Sequence, residues 1–214
     1  MWDMSKTVRA VLAVSLLLNL VLLAAAGVWV SKRVWPAPPE RPNYSGMAQE
    51  FMTGLPGAEV ALVGDSHIAG GAWSEVLGMP VAARGQSGAR IAELDGAVDA
   101  LPHDAREVVV WAGTNDVIAG HDVAQVEADM EAMLAKVEAV APAASVIVLS
   151  VPPLNGWDEG PANDALRRAA DDAGAVYMET APALDAHMAS DGVHVRGPGY
   201  TALADRLRGA LTTG

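Results

Sequence analysis

Residues 107–112 read EVVVWA and residues 145–151 read SVIVLSV, and between them lies the Ala-rich amphipathic stretch Val123–Val140. Two short β-branched runs that carry no polar alternation suit strands buried on both faces, and a helix of that length between them is the crossover a parallel pair requires. The same rhythm extends outward in both directions. Glu59–Val63 and a brief Pro80–Ala83 precede these runs and Ala175–Met178 follows them, each flanked by glycine, proline or acidic turn residues. Helical patterns fit Gly71–Leu77, Ala89–Ala100, Ala162–Ala173 and a last segment, Pro198–Leu211, with proline near its first turn. The fold class this predicts is α/β, with a central parallel sheet of about five strands in which the third and fourth are central.

The chain has 214 residues, 51% of them apolar, enough for one domain with a substantial core. Twenty-six acidic against 14 basic residues give a formal charge of -12, which phosphate backbones would repel, so nucleic acid is excluded as a partner. There is no cysteine, so disulfides, thiolate metal sites and a thiol nucleophile are excluded. The charge is uneven. Up to Arg41 there are five basic and two acidic residues, and the remainder carries nine basic and 24 acidic ones. A basic apolar leader thus precedes an acidic body.

Within the leader, Val11–Val30 (VLAVSLLLNLVLLAAAGVWV) contains no charged residue and is flanked by Arg9 and by Lys32-Arg33. Its length matches the ~20 residues a helix needs to cross a bilayer. Residues 1–10 then form a short tail and residues 11–30 a transmembrane helix or a signal segment, since Ala24-Ala25-Ala26 also offers a small-residue cleavage pattern. The anchor is preferred because apolarity continues past that point through Val28, Trp29 and Val30. Either reading places the body on the extracytoplasmic side, periplasmic or extracellular, anchored at the membrane or secreted after cleavage. Residues 31–54, with Pro36, Pro38, Pro39 and Pro42, read as a stiff spacer, and residues 55–214 as the globular domain.

In an open α/β sheet, ligand chemistry gathers beyond the carboxyl ends of the strands. Four clusters fall there: Gly64-Asp65-Ser66-His67, Arg84-Gly85-Gln86-Ser87-Gly88, Gly113-Thr114-Asn115-Asp116, and Asp191-Gly192-Val193-His194 before the last helix. Ser66 is the candidate nucleophile. A serine hydroxyl needs a base, and His194 meets that need if Asp191, three residues away in a turn, accepts from one ring nitrogen and leaves the other for Ser66. Acyl transfer also creates an oxyanion, for which Gly88 could present its backbone amide and Asn115 its side-chain NH₂. Taken singly, Ser66 reads equally as a helix N-cap, His194 as a surface histidine, and Gly88 and Asn115 as turn residues.

In order and spacing the four blocks resemble the SGNH (GDSL-type) hydrolases, over residues 58–212. The resemblance implies a flavodoxin-like three-layer α/β/α fold, Ser66 as nucleophile, His194 as base, Asp191 as its orienting acid, and an oxyanion hole built from the Ser66 amide, the Gly88 amide and the Asn115 side chain. Two positions depart from the family pattern: His67-Ile68 where leucine is frequent, and Ala83 where an asparagine often opens the second block.

Other chemistries fit less well. Asp65-x-His67 could begin a divalent-metal site, but the further Asn and His ligands such a phosphoesterase needs are missing. Arg84–Gly88 lacks the Lys-Ser/Thr of a phosphate-binding loop. His103, His121 and His187 read as surface residues. The expected activity is therefore hydrolysis of a carboxylic ester, a short acyl ester on a glycan or a lysolipid-like molecule, through an acyl-enzyme and with no metal or organic cofactor. Transfer of the acyl group to another acceptor, or binding of a glycan or partner without catalysis, are the alternatives. The oligomeric state is not encoded.

Overall fold

A computed structural model describes Val8, residues 15–20, Leu23 and residues 52–211. The chain divides into two compact units, Met1–Pro42 and Asn43–Gly214. In the first, residues 15–20 and Leu23 are helical. Most of the expected membrane-spanning stretch, residues 11–30, and of the spacer lies outside the described residues. Among those described, no helix is long and apolar enough to cross a membrane.

The second unit is built on five parallel strands, β1 (Val60–Gly64), β2 (Val81–Gly85), β3 (Glu107–Trp111), β4 (Ser145–Leu149) and β5 (Val176–Met178), in the order β2-β1-β3-β4-β5. All five residues of β1 and of β3 are buried, as expected of strands covered on both faces. The side chains divide with the period of two that a strand imposes. Ala61, Val63, Val108, Val110 and Val148 face one core, while Val60, Leu62, Val109, Trp111, Ile147 and Leu149 face the other. Two helix layers cover these cores. On the first face pack α3 (Asp95–Asp99), α5 (Val123–Val140) and α6 (Gly160–Asp172), through residues such as Val98, Met130, Leu134 and Leu166. On the second pack α2 (Trp73–Leu77), α7 (Ala181–Leu184) and α8 (Gly197–Ala210), through Trp73, Leu77, Leu184, Leu203 and Leu207. The expected three-layer α/β/α architecture is thus present, with β3 at the centre of the sheet. β4 is interior but begins exposed at Ser145, and only the three residues of β5 lie beyond it.

Several elements differ from their sequence reading. β2 runs two residues past Ala83 because Arg84, a charge that ought to end a strand, is buried with its guanidinium donating to the carbonyls of Ala83, Ala100, Leu55 and Pro56. The same contacts pin residues 55–56 to the sheet, and Met52 is buried in the core, so the packed body reaches back into the expected spacer. The helix expected over 89–100 is broken into a 3₁₀ turn, Ile91–Glu93, and α3. Two short helices, α1 (Ser66–Ala69) and α4 (Thr114–Ala119), occupy positions read as turns.

Candidate active site

Ser66 follows the buried strand β1 and opens α1. Gly64 ends that strand where a Cβ would lie 1.9 Å from the Trp111 carbonyl oxygen, so only glycine lets β1 and β3 approach this closely. Asp65, wholly buried, is the N-cap: its Oδ1 accepts from the His67 amide at 2.9 Å. Because Asp65 takes the capping role, the Ser66 hydroxyl is left to face outward, and its Oγ lies 3.3 Å from His194 Nε2. That contact is slightly long, as such bonds often are before substrate binds.

His194 stands on a turn closed by the antiparallel bridge Met188–Val195 and by the Ala189 amide donating to the His194 carbonyl at 2.7 Å. Asp191 organises this turn. Its Oδ1 accepts from the Val193 and His194 amides, both at 2.9 Å, and its Oδ2 faces His194 Nδ1 at 2.8 Å. The backbone bonds from His194 and Val193, then the imidazole bond, hold the Asp191 carboxyl well below the usual carboxylate range. A carboxylate only accepts, so His194 Nδ1 carries the proton and Nε2 presents its lone pair to Ser66.

The strand order places the ends of β2 and β3 on either side of β1, so the segments carrying Gly88 and Asn115 flank Ser66. The Ser66 amide is at the first position of α1, where no carbonyl of the helix reaches it. Asn115 is in the first turn of α4 rather than in a loop. One Nδ2–H of Asn115 donates to the Ala89 carbonyl at 2.9 Å, which ties α4 to the residue after Gly88 and leaves the second N–H for a ligand. At Gly88 an added Cβ would meet nothing within 4 Å; glycine is favoured there by the backbone, whose φ is +76°.

A second network braces this side of the site, and sequence reading missed it. Arg90 Nη1 donates to His121 Nε2 at 3.1 Å, so His121, expected at the surface, is half-buried and accepts with that nitrogen. Its Nδ1 lies 3.6 Å from Oδ1 of the buried Asp116, whose Oδ2 accepts from the Ile91 amide at 3.1 Å. Partners 25 and 31 residues apart leave no local sequence signal. Burial pushes the Asp116 carboxyl up to about 6, against the opposing bond from Ile91. In the unfolded chain it would titrate near about 3.9. Between those values the native state keeps a proton that the unfolded state gives up, so this group's contribution to stability falls as pH rises from about 4 to about 6. Asp116→Asn is expected to remove that loss. Thermal unfolding midpoints should then decline less for the variant than for the wild type over this window, and equal declines would contradict the assignment.

Of the five residues expected to form the site, Ser66, His194 and Asp191 are in hydrogen-bonding contact, and Gly88 and Asn115 lie on the segments that follow the two flanking strands. The sequence model of the GDSL-like lipase/acylhydrolase family matches residues 57–202, and the chain belongs to that family. No curated protein matches it. Among solved structures it is similar to a provisionally named platelet activating factor from Streptococcus pneumonia, with 20% identity and a TM-score of 0.69 over 94% of this chain and 98% of the other. It is also similar to a member of the lipolytic G-D-S-L family from Veillonella parvula, with 17% identity and a TM-score of 0.62 over 72% and 98% of the two chains. A third likeness is to Est24, a carbohydrate acetylesterase from Sinorhizobium meliloti, with 15% identity and a TM-score of 0.56 over 71% and 99%. At these identities the likeness is one of fold.

Proposed function

We propose that this protein is a serine esterase that removes short acyl groups from a glycan, held on the extracytoplasmic face of a membrane by residues 11–30. The observation that carries this reading is the continuous chain of contacts from Ser66 Oγ through the His194 imidazole to the Asp191 carboxylate. The Ser66 oxygen attacks the ester carbonyl as His194 Nε2 takes its proton, and Asp191 stabilises the imidazolium. The Ser66 and Gly88 amides and the second Asn115 N–H receive the oxyanion. His194 returns the proton to the departing alcohol oxygen and then activates water, which releases the acid from Ser66. No step requires a metal. The family supports ester hydrolysis in general. A short acyl group on a sugar is favoured over a lipid because a body of this size has little room for an acyl-chain lid. The net charge of -12 favours a neutral substrate.

Reaction of the intact chain with a fluorophosphonate probe tests this reading. Covalent labelling located at Ser66 by mass spectrometry is the expected result. An unlabelled, folded protein would indicate a binding module in place of an enzyme.

A further inference from the structure

His67 is wholly buried, yet both of its ring nitrogens face oxygen. Nδ1 lies 3.0 Å from Asp65 Oδ1, and Nε2 lies 3.1 Å from the Val193 carbonyl, across a sequence separation of 126 residues. The ring packs on Trp111, with centroids 4.7 Å apart, and its centroid is 5.8 Å from that of His194. Trp111 would accept an apolar side chain at this position equally well, and an apolar side chain would need no partners. What the imidazole adds is a cross-link. A carbonyl can only accept, so Nε2 carries a proton and donates it to Val193. Nδ1 faces Asp65 Oδ1, the same oxygen that accepts from the His67 amide.

The placement of this link matters. His67 is the residue after Ser66, and Val193 is the residue before His194. The two segments that must hold Ser66 Oγ and His194 Nε2 in register, 3.3 Å apart, are therefore joined by a part-buried bond one residue away on either side. Asp65 and Asp191 each fix one of these turns internally. The bond from His67 fixes one turn against the other.

We propose that His67 is a positioning residue for the reaction, clamping the turn that carries His194 onto the turn that carries Ser66 through its bond to the Val193 carbonyl. This rests on the esterase reading above, because the clamp matters to catalysis only if Ser66 and His194 act together.

The test is His67→Leu, which keeps the packing volume and removes both bonds, and His67→Gln, whose side-chain amide can still donate to Val193. Each is made in the wild-type chain and in His194→Ala. The rate of p-nitrophenyl acetate hydrolysis is measured, with fluorophosphonate labelling of Ser66 as a second readout. In the wild-type background, His67→Leu should lower kcat about 10²-fold with KM unchanged, because misplacing a reacting group by about 1 Å costs roughly that much, and His67→Gln should lose only about tenfold. In the His194→Ala background neither change should lower the residual rate further, since the group being positioned is already gone. A general loss of structure would instead lower the rate by the same factor in both backgrounds, and that result overturns the proposal. So does a His67→Leu enzyme as fast as wild type. If His67→Leu gives no cooperative thermal transition, His67→Gln decides by the same comparison. A folded wild-type chain that neither hydrolyses the ester nor takes the probe would overturn the esterase reading, and the clamp with it. A reactive wild type with an unimpaired His67→Leu overturns the clamp alone.

Discussion

Asp191→Asn is expected to lower kcat by about 10⁴-fold while leaving the turn in place, the loss known for the equivalent change in a serine protease triad. The variant keeps an oxygen that can accept from the Val193 and His194 amides, the two bonds that shape the turn. At the other position it places an NH₂ opposite His194 Nδ1, where a carboxylate oxygen now accepts at 2.8 Å. Two donors cannot share that contact, so the imidazole moves its proton to Nε2 and presents a donor to Ser66 in place of a lone pair. The loss should fall on kcat, because the base has the wrong tautomer while the substrate's surroundings are unchanged. Initial rates with p-nitrophenyl acetate decide the matter. A loss smaller than tenfold would mean that Asp191 shapes the loop and nothing more.

Ser66→Ala is expected to cost more, about 10⁶-fold in kcat, the scale on which a serine and histidine acting as one unit fail when either is removed. The thermal transition should be preserved, because the bonds that shape the turn after β1 belong to Asp65 and survive the change. Among the described residues, the hydroxyl itself bonds only to His194. A variant that hydrolyses the ester within tenfold of the wild-type rate would remove Ser66 from the reaction, and a variant that loses its transition would mean the hydroxyl also supports the fold.

The fold was legible where the sequence is apolar on both faces, as at residues 107–111, because burial on two sides leaves no alternative to a strand. It was less legible at the edge. Arg84 reads as the end of a strand, and only carbonyls supplied from residues 55, 56, 83 and 100 let a guanidinium sit inside. The periodicity over 89–100 suggested one helix, yet the Ile91 amide is claimed by Asp116 and the Arg90 amide by Glu93, and these bonds break the pattern into two turns. In the site, Asp191 and His194 were readable because their contact is local, three residues apart. The reason for glycine at 88 was not, because a backbone angle leaves no trace in side-chain chemistry. The contact of His67 with Val193 was equally hidden, since it spans most of the domain.

The imidazole and carboxylate of the proposed base pair are both about half exposed, 53% and 50%. A reaction centre this close to bulk solvent has two consequences. On the proposed reading, a polymer chain lying across the rim would bring one of its side groups to the serine directly from solvent. Once that group has been taken up as the covalent intermediate, the surrounding liquid is its nearest and most abundant acceptor. Release to water should then outrun handover to a second alcohol, and this openness is the physical ground for reading the protein as a hydrolase in preference to a transferase.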